Sequence, residues 1–295
     1  MDIVSKITNL RERAERSVIS LPALMIKSET LADNIIHGDH AKRKAGSGEK
    51  FWQFREYDTS DRPQDIDWRQ SAKTDQVYIK QKEWQITRKV FLWCASGQSM
   101  DYQSDNSKYT KQENAQIICL ALALLLSRAK EQIGIYGQAQ TGRSEETLEK
   151  IARLLHNKAT QDDILPDTDA VRLPKHAYFI GVGDFLSPIE DIKRQFDMIS
   201  GQTQNAVIIQ VLDPAEQNLS YTGRVKFKGL NGIQETIDHV PSVKDAYRER
   251  MDRHIEDVKT LCASYDWNYV LHSSEDLDST LKTLWVLLDN GDIRS

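Results

Sequence analysis

The chain has 295 residues, enough for one large or two modest domains and a sizeable buried core. Its 39 Lys plus Arg against 44 Asp plus Glu leave a formal charge of -5, so bulk electrostatics give no push toward nucleic acid or an anionic membrane, and the short basic cluster Lys42–Lys44 is too small to reverse that. Three separated cysteines, Cys94, Cys119 and Cys262, form no CxxC pair; they indicate neither a disulfide framework nor a zinc site and fit a reducing compartment.

The first stretch, MDIVSKITNLRERAERSV, is charged throughout and lacks the apolar core of a secretory signal. Ile7, Leu10, Ala14, Val18 and Ile19 recur at near-helical spacing, and Leu31, Ile35 and Ile36 follow Pro22, which predicts one or two surface-packing helices ending near His37. His37–Gly48 is a polar, basic, glycine-containing loop. FWQFREY (51–57) has the aromatic content of a strand, and the polar turn 58–65 leads to IDWRQSAKT (66–74) and VYIKQKEW (77–84).

From Gln85 onward, short apolar runs alternate with helical patterns, which is the signature of a parallel sheet. The runs are 90–94, 133–136, 177–182, 206–212 and 267–271; the helical stretches lie near 110–131, 145–156, 187–200, 242–264 and 276–288. YTGRVKF (221–227) is expected to be an extra edge strand or a hairpin. The predicted architecture is therefore α/β, a mostly parallel sheet with helices on both faces over 85–295, preceded by an N-terminal helix and β region over 1–84. The longest apolar run, Ile117–Leu126, is well short of the roughly 20 residues a spanning helix needs, so no membrane insertion is expected and the chain is read as cytoplasmic.

In an open parallel sheet, ligands bind beyond the carboxyl ends of the strands. CASGQSMDYQS follows the first run and GVGDFLSP the third, which places Ser96, Ser99, Asp101 and Asp184 near one rim. Such oxygens suit a hard cation such as Mg²⁺; equally, serine and aspartate there serve as helix caps. Other motifs fail on inspection. The GxG at 181–183 has Leu186 at its third glycine position, with Asp184 where a pyrophosphate would sit, and GSGEK (46–50) lacks P-loop spacing. Gly97-Gln98-Ser99 resembles a nucleophile elbow, and Ser99, Asp184 and His239 or His272 run in hydrolase order; yet Asp101 replaces the expected glycine, and a polar stretch to Lys108 delays the helix. His37 and His40 lack further ligands nearby. Trp52, Trp68, Trp84 and Trp93 are candidates for core packing or a partner surface.

Taken in order, these segments resemble the bacterial domain of unknown function 58 proteins, which are von Willebrand factor type A-like. The most specific part is REYDTSDRPQDIDWRQSAKT (55–74), similar to the family's Arg-x-Tyr, Gly-Asp turn, Ile-Asp-Trp and Ser-Ala-Arg-Thr, with Ser60 replacing the usual glycine and Lys73 the usual arginine. HGDHAKRKAGSGEKFWQF resembles the soluble branch, and QKEWQITRKVFLWCASGQSM the strand leading into the metal-site loop. The resemblance implies a von Willebrand factor A-like domain with a metal-ion-dependent adhesion site, Asp-x-Ser-x-Ser after the first strand. Here Ala95 stands at the aspartate, Gly97 at the first serine and Ser99 at the second, while Asp184 matches an acidic residue of a later loop. The site is thus degenerate, with Ser99 and Asp184 left as candidate ligands and most of the cation's protein ligands gone.

The resemblance also implies a non-catalytic adaptor or co-chaperone that acts with a MoxR-type AAA+ ATPase and with other von Willebrand factor A-like proteins. The alternatives are a divalent-cation-dependent ligand-binding domain and a serine hydrolase using Ser99. Within 55–74, Asp61 and Asp65 read as turn residues and Asp67 as a partner for Arg55, Arg69 or Lys73. The functional alternative is a docking surface of Arg55, Asp61, Asp67, Trp68 and Arg69.

Overall fold

The structure, a computed structural model, describes residues 51–58, 63–73, 76–82, 88–105, 107–138, 140–157, 172–174, 176–229, 234–273 and 277–290, together with Ala32. The helices expected before His37, the loop 37–48 and Asp61 lie outside these residues. The chain forms two compact units, Asp39–Thr87 and Arg88–Ser295 with Met1–Gly38.

In the smaller unit, β1 (Phe51–Glu56) pairs antiparallel with β2 (Tyr78–Lys82), Arg55 opposite Ile79 and Glu56 opposite Tyr78. Between them lie a 3-10 turn at Pro63–Asp65, a bridge from Ile66 to Ile79 and the one-turn helix α1 (Trp68–Ser71). Four residues cannot sustain a helix by propagation alone. This turn is fixed instead by its cap and by side-chain bonds to β2.

The larger unit holds a six-stranded sheet in the order β10-β7-β6-β3-β4-β5. Its strands are β3 (Lys89–Cys94), β4 (Gln132–Ile135), β5 (Thr141–Gly142), β6 (Tyr178–Gly183), β7 (Asn205–Val211) and β10 (Asn268–His272). All neighbours are parallel except β5, which runs antiparallel to β4 at one edge. The near-continuous burial of β3, β6 and β7 is what helices on both faces impose. On one side α2 (Lys111–Arg128) packs with α3 (Glu145–His156) and α7 (Leu277–Asn290); α4 (Ile189–Ser200) packs with α6 (Lys244–Ser264).

Helix α2 contains the apolar run Ile117–Leu126, and nearly every residue from Ala115 to Leu126 is buried. A helix apolar on all sides belongs in a core or a membrane; this one is in the core, and no helix among the described residues is long and apolar enough to cross a membrane. Its start is set by a capping box, in which Thr110 Oγ1 accepts from Glu113 N and Glu113 accepts from Thr110 N.

YTGRVKF contributes β8 (Val225–Lys228), which pairs with β9 (Gln234–Ile237) as a separate hairpin rather than as an edge of the main sheet. The polar, exposed pattern of β9 explains why periodicity does not announce it. The two-residue β5 and the five-residue α5 (Pro214–Asn218) are too short to show a period.

Candidate functional site

The connection after β3 runs through α2 to β4 on one side, whereas that after β6 runs through α4 to β7 on the other. Adjacent strands whose chains depart in opposite directions open a crevice at their carboxyl ends. Residues 95–101 leave β3 into this crevice, and Asp184 leaves β6.

The centre of the rim is an ammonium group. Lys111, the first residue of α2, donates from Nζ to Asp184 Oδ2 at 2.9 Å and to Glu216 Oε1 at 2.8 Å, and it is only 2% exposed. The Tyr102 ring lies 5.9 Å from the same nitrogen. A cation at a helix N-terminus opposes the macrodipole, and a buried ammonium is costly unless paired; the two carboxylates answer both penalties. Burial pulls the Lys111 ammonium down, but Asp184 and Glu216 pull it up further, and it titrates above the ordinary lysine range. Burial pushes the Glu216 carboxyl up by more than Lys111 lowers it.

Glu216 and the neighbouring Asp213 also hold backbone. Glu216 Oε2 accepts from Asp213 N at 3.2 Å, one half of the capping box that starts α5, and Asp213 Oδ1 accepts from Ala215 N at 2.8 Å. Asp213 Oδ2 accepts from Ser104 N at 3.0 Å, which ties the β3–α2 loop to the start of α5. Burial raises the Asp213 carboxyl, but hydrogen bonds from Ser104, Ser107 and Ala215 outweigh it, so it titrates below the usual aspartate value. A hydrogen bond between the Tyr102 and Tyr221 hydroxyls makes a further link. Behind the crevice, Gln210 Nε2 donates to Asp184 O at 2.9 Å while Tyr269 donates its hydroxyl to Gln210 Oε1 at 2.6 Å.

The candidate ligands are arranged differently from a metal centre. Asp184 is buried against Lys111, Asp101 is exposed, Ser96 is buried, and Ser99 Oγ is shut from solvent without a hydrogen-bond partner. Ala95 is packed in the core beside the sheet: a Cβ added to Gly183 would lie 2.9 Å from the Ala95 Cβ. Among the described residues, no group of three His, Cys, Asp or Glu side chains converges on one point. Among the described residues, Ser99 likewise has no base on its hydroxyl. His272 is buried on β10 with Nδ1 2.8 Å from Thr280 Oγ1, and His239 is exposed before α6.

In the smaller unit, Asp67 is the N-cap of α1: its Oδ1 accepts from Arg69 N at 3.1 Å and Gln70 N at 3.0 Å. Ser71 Oγ donates to Asp67 O at 2.9 Å and accepts from Tyr78 N at 2.8 Å, fastening the turn to β2. Held this way, Trp68 is 68% exposed and Arg69 is exposed beside it. Arg55 lies in β1, Lys73 is exposed in the turn after α1, and Asp65 ends the 3-10 turn. Trp93, by contrast, is fully buried in β3.

Lys111, Asp213 and Glu216 are the site residues that motif reading misses. The signal is present: DPAE at 213–216 is a capping box with proline at the first helical position, and TKQE at 110–113 puts a lysine against the helix dipole, where only an anionic partner makes it tenable.

Curated relatives include uncharacterized proteins of Mycobacterium bovis and Mycobacterium tuberculosis, each 24% identical over 254 residues that cover 81% of this chain and 79% of theirs. Among solved structures, BatB from Bacteroides thetaiotaomicron aligns with a TM-score of 0.38 and 12% identity over 69% of this chain and 99% of its own. An aerotolerance-related membrane protein from Bacteroides fragilis gives 0.36 at the same identity and coverage. The family model described as protein of unknown function DUF58 matches residues 53–260, spanning both the Trp68 turn and the Lys111 rim, and the chain belongs to that family.

Proposed function

We propose that this protein is a non-catalytic interaction module with a von Willebrand factor A-like domain, an adaptor or co-chaperone for a MoxR-type AAA+ ATPase. The observation that carries the reading is the display of Trp68. Asp67 and Ser71 spend their hydrogen bonds on holding a single helical turn to β2, and the residue thereby pointed at solvent is a tryptophan with an arginine next to it. Trp and Arg are the side chains that most often dominate binding energy in protein interfaces.

The rim speaks against the hydrolase alternative. Asp184 is engaged by Lys111, His272 by Thr280, and the Ser99 hydroxyl has no base, so the three groups a Ser-dependent hydrolase requires are not assembled. The test is titration calorimetry of the full chain against the purified MoxR-type ATPase of its own organism, with and without ATP. Saturable binding in either nucleotide state supports the adaptor reading. No binding in both, together with labelling of Ser99 by a serine-reactive phosphonate, would replace it with the hydrolase.

A further inference from the structure

A divalent cation, the group that the von Willebrand factor A-like resemblance implies, does not fit this rim while Lys111 fills it. The position of the first aspartate is Ala95, buried in direct packing range of Gly183, and the position of the first serine is Gly97. The remaining carboxylate, Asp184, has its Oδ2 committed to Lys111. What the rim does contain is the arrangement a cation creates: two carboxylate oxygens from separate segments, within 2.9 Å of one positive centre that solvent does not reach.

We infer that the Lys111 ammonium is the resident cation of this rim, taking the place of a divalent metal and making the assembly of the rim independent of one. The single charge gathers three segments that carry the crevice: the start of α2, the loop after β6 through Asp184, and the start of α5 through Glu216. A metal would join the same segments through the same oxygens. Its bonds of about 2.0–2.6 Å are shorter than the 2.8 and 2.9 Å here, so each carboxylate would need only a small inward movement once the ammonium is gone. Ligand recognition through a metal-bound carboxylate of a partner is closed to such a site, because Lys111 already serves two carboxylates and is buried away from any partner. This inference does not depend on the identity of the partner.

The test is thermal unfolding of the full chain and of Lys111→Ala, each in EDTA and in excess Mn²⁺. The wild type melts at the same temperature in both media and binds no Mn²⁺ by electron paramagnetic resonance. Lys111→Ala melts lower in EDTA and regains roughly 5–10 °C at Mn²⁺ a hundredfold above its Kd, a gain that Asp184→Asn removes. A wild type that Mn²⁺ stabilises, with the gain abolished by Asp184→Asn, overturns the inference. So does a folded Lys111→Ala that is indifferent to Mn²⁺. Should Lys111→Ala be unfolded in both media, the wild-type arm decides: Mn²⁺-independent melting with no bound Mn²⁺ supports the inference, and Asp184-dependent binding overturns it.

Discussion

Replacing Lys111 with methionine keeps most of the side-chain volume and removes only the charge and the hydrogen bonds. Two carboxylates then remain, with side chains 6% and 17% exposed, and the oxygens that faced the ammonium have no donor. Removing one partner of a buried ion pair typically destabilises by about 3–5 kcal/mol, because the charge left behind is neither solvated nor neutralised. Lys111→Met therefore lowers the melting temperature by roughly 6–20 °C for a protein of this size. Differential scanning calorimetry with urea unfolding at neutral pH reads both quantities. The triple variant Lys111→Met, Asp184→Asn, Glu216→Gln separates charge from packing: it recovers much of the loss, since the uncompensated charges are gone and neutral amides replace them. A loss below about 1 kcal/mol for Lys111→Met, comparable to an exposed pair, would refute the buried-triad reasoning.

Three further outcomes follow from the same geometry. Asp67→Ala removes the N-cap of α1 and loosens the turn by about 1 kcal/mol, seen as faster hydrogen exchange at Arg69 and Gln70 with the larger unit unaffected. The stabilisation from Asp213, whose folded pKa is lowered, is complete above its ordinary value of 3.8 and is lost as pH falls through the folded value; Asp213→Asn flattens that part of an acid-unfolding curve. Lys111 behaves in the opposite sense. Its raised pKa gives stabilisation that is complete below 10.5 and fades as pH rises through the folded value, so alkaline unfolding moves to lower pH in Asp184→Asn.

The sheet was legible because its strands are buried on both faces. Val90–Cys94 reads as an unbroken apolar run and Ala206–Leu212 as one interrupted only by Gln210, and the structure places them in β3 and, as far as Val211, in β7. The strong amphipathic patterns of 145–156 and 187–200 likewise mark α3 and α4. Elements of two to five residues, such as β5 and α5, carry no period and emerge only from pairing and capping. The rim was half legible. Strand order could not be read from periodicity, but the rule that ligands sit beyond strand ends brought Ser99 and Asp184 forward. Lys111 stayed hidden because its partners are 73 and 105 residues away in sequence, and such a contact leaves no local spacing to find. Asp67 reads in the sequence as a partner for a basic side chain and instead caps the turn, because an aspartate before Trp-Arg-Gln-Ser suits an ion pair and an N-cap equally.

If the proposed docking of a MoxR-type ATPase runs through the exposed tryptophan turn, the affinity of that ATPase for Trp68→Ala relative to the unaltered chain is the decisive quantity. Folding should be unchanged, because the side chain is mostly in solvent and such substitutions usually stay within about 0.5 kcal/mol. The Kd of Trp68→Ala is expected to rise about 30-fold, the loss of one interface residue worth some 2 kcal/mol. An equal Kd for the two proteins would contradict it.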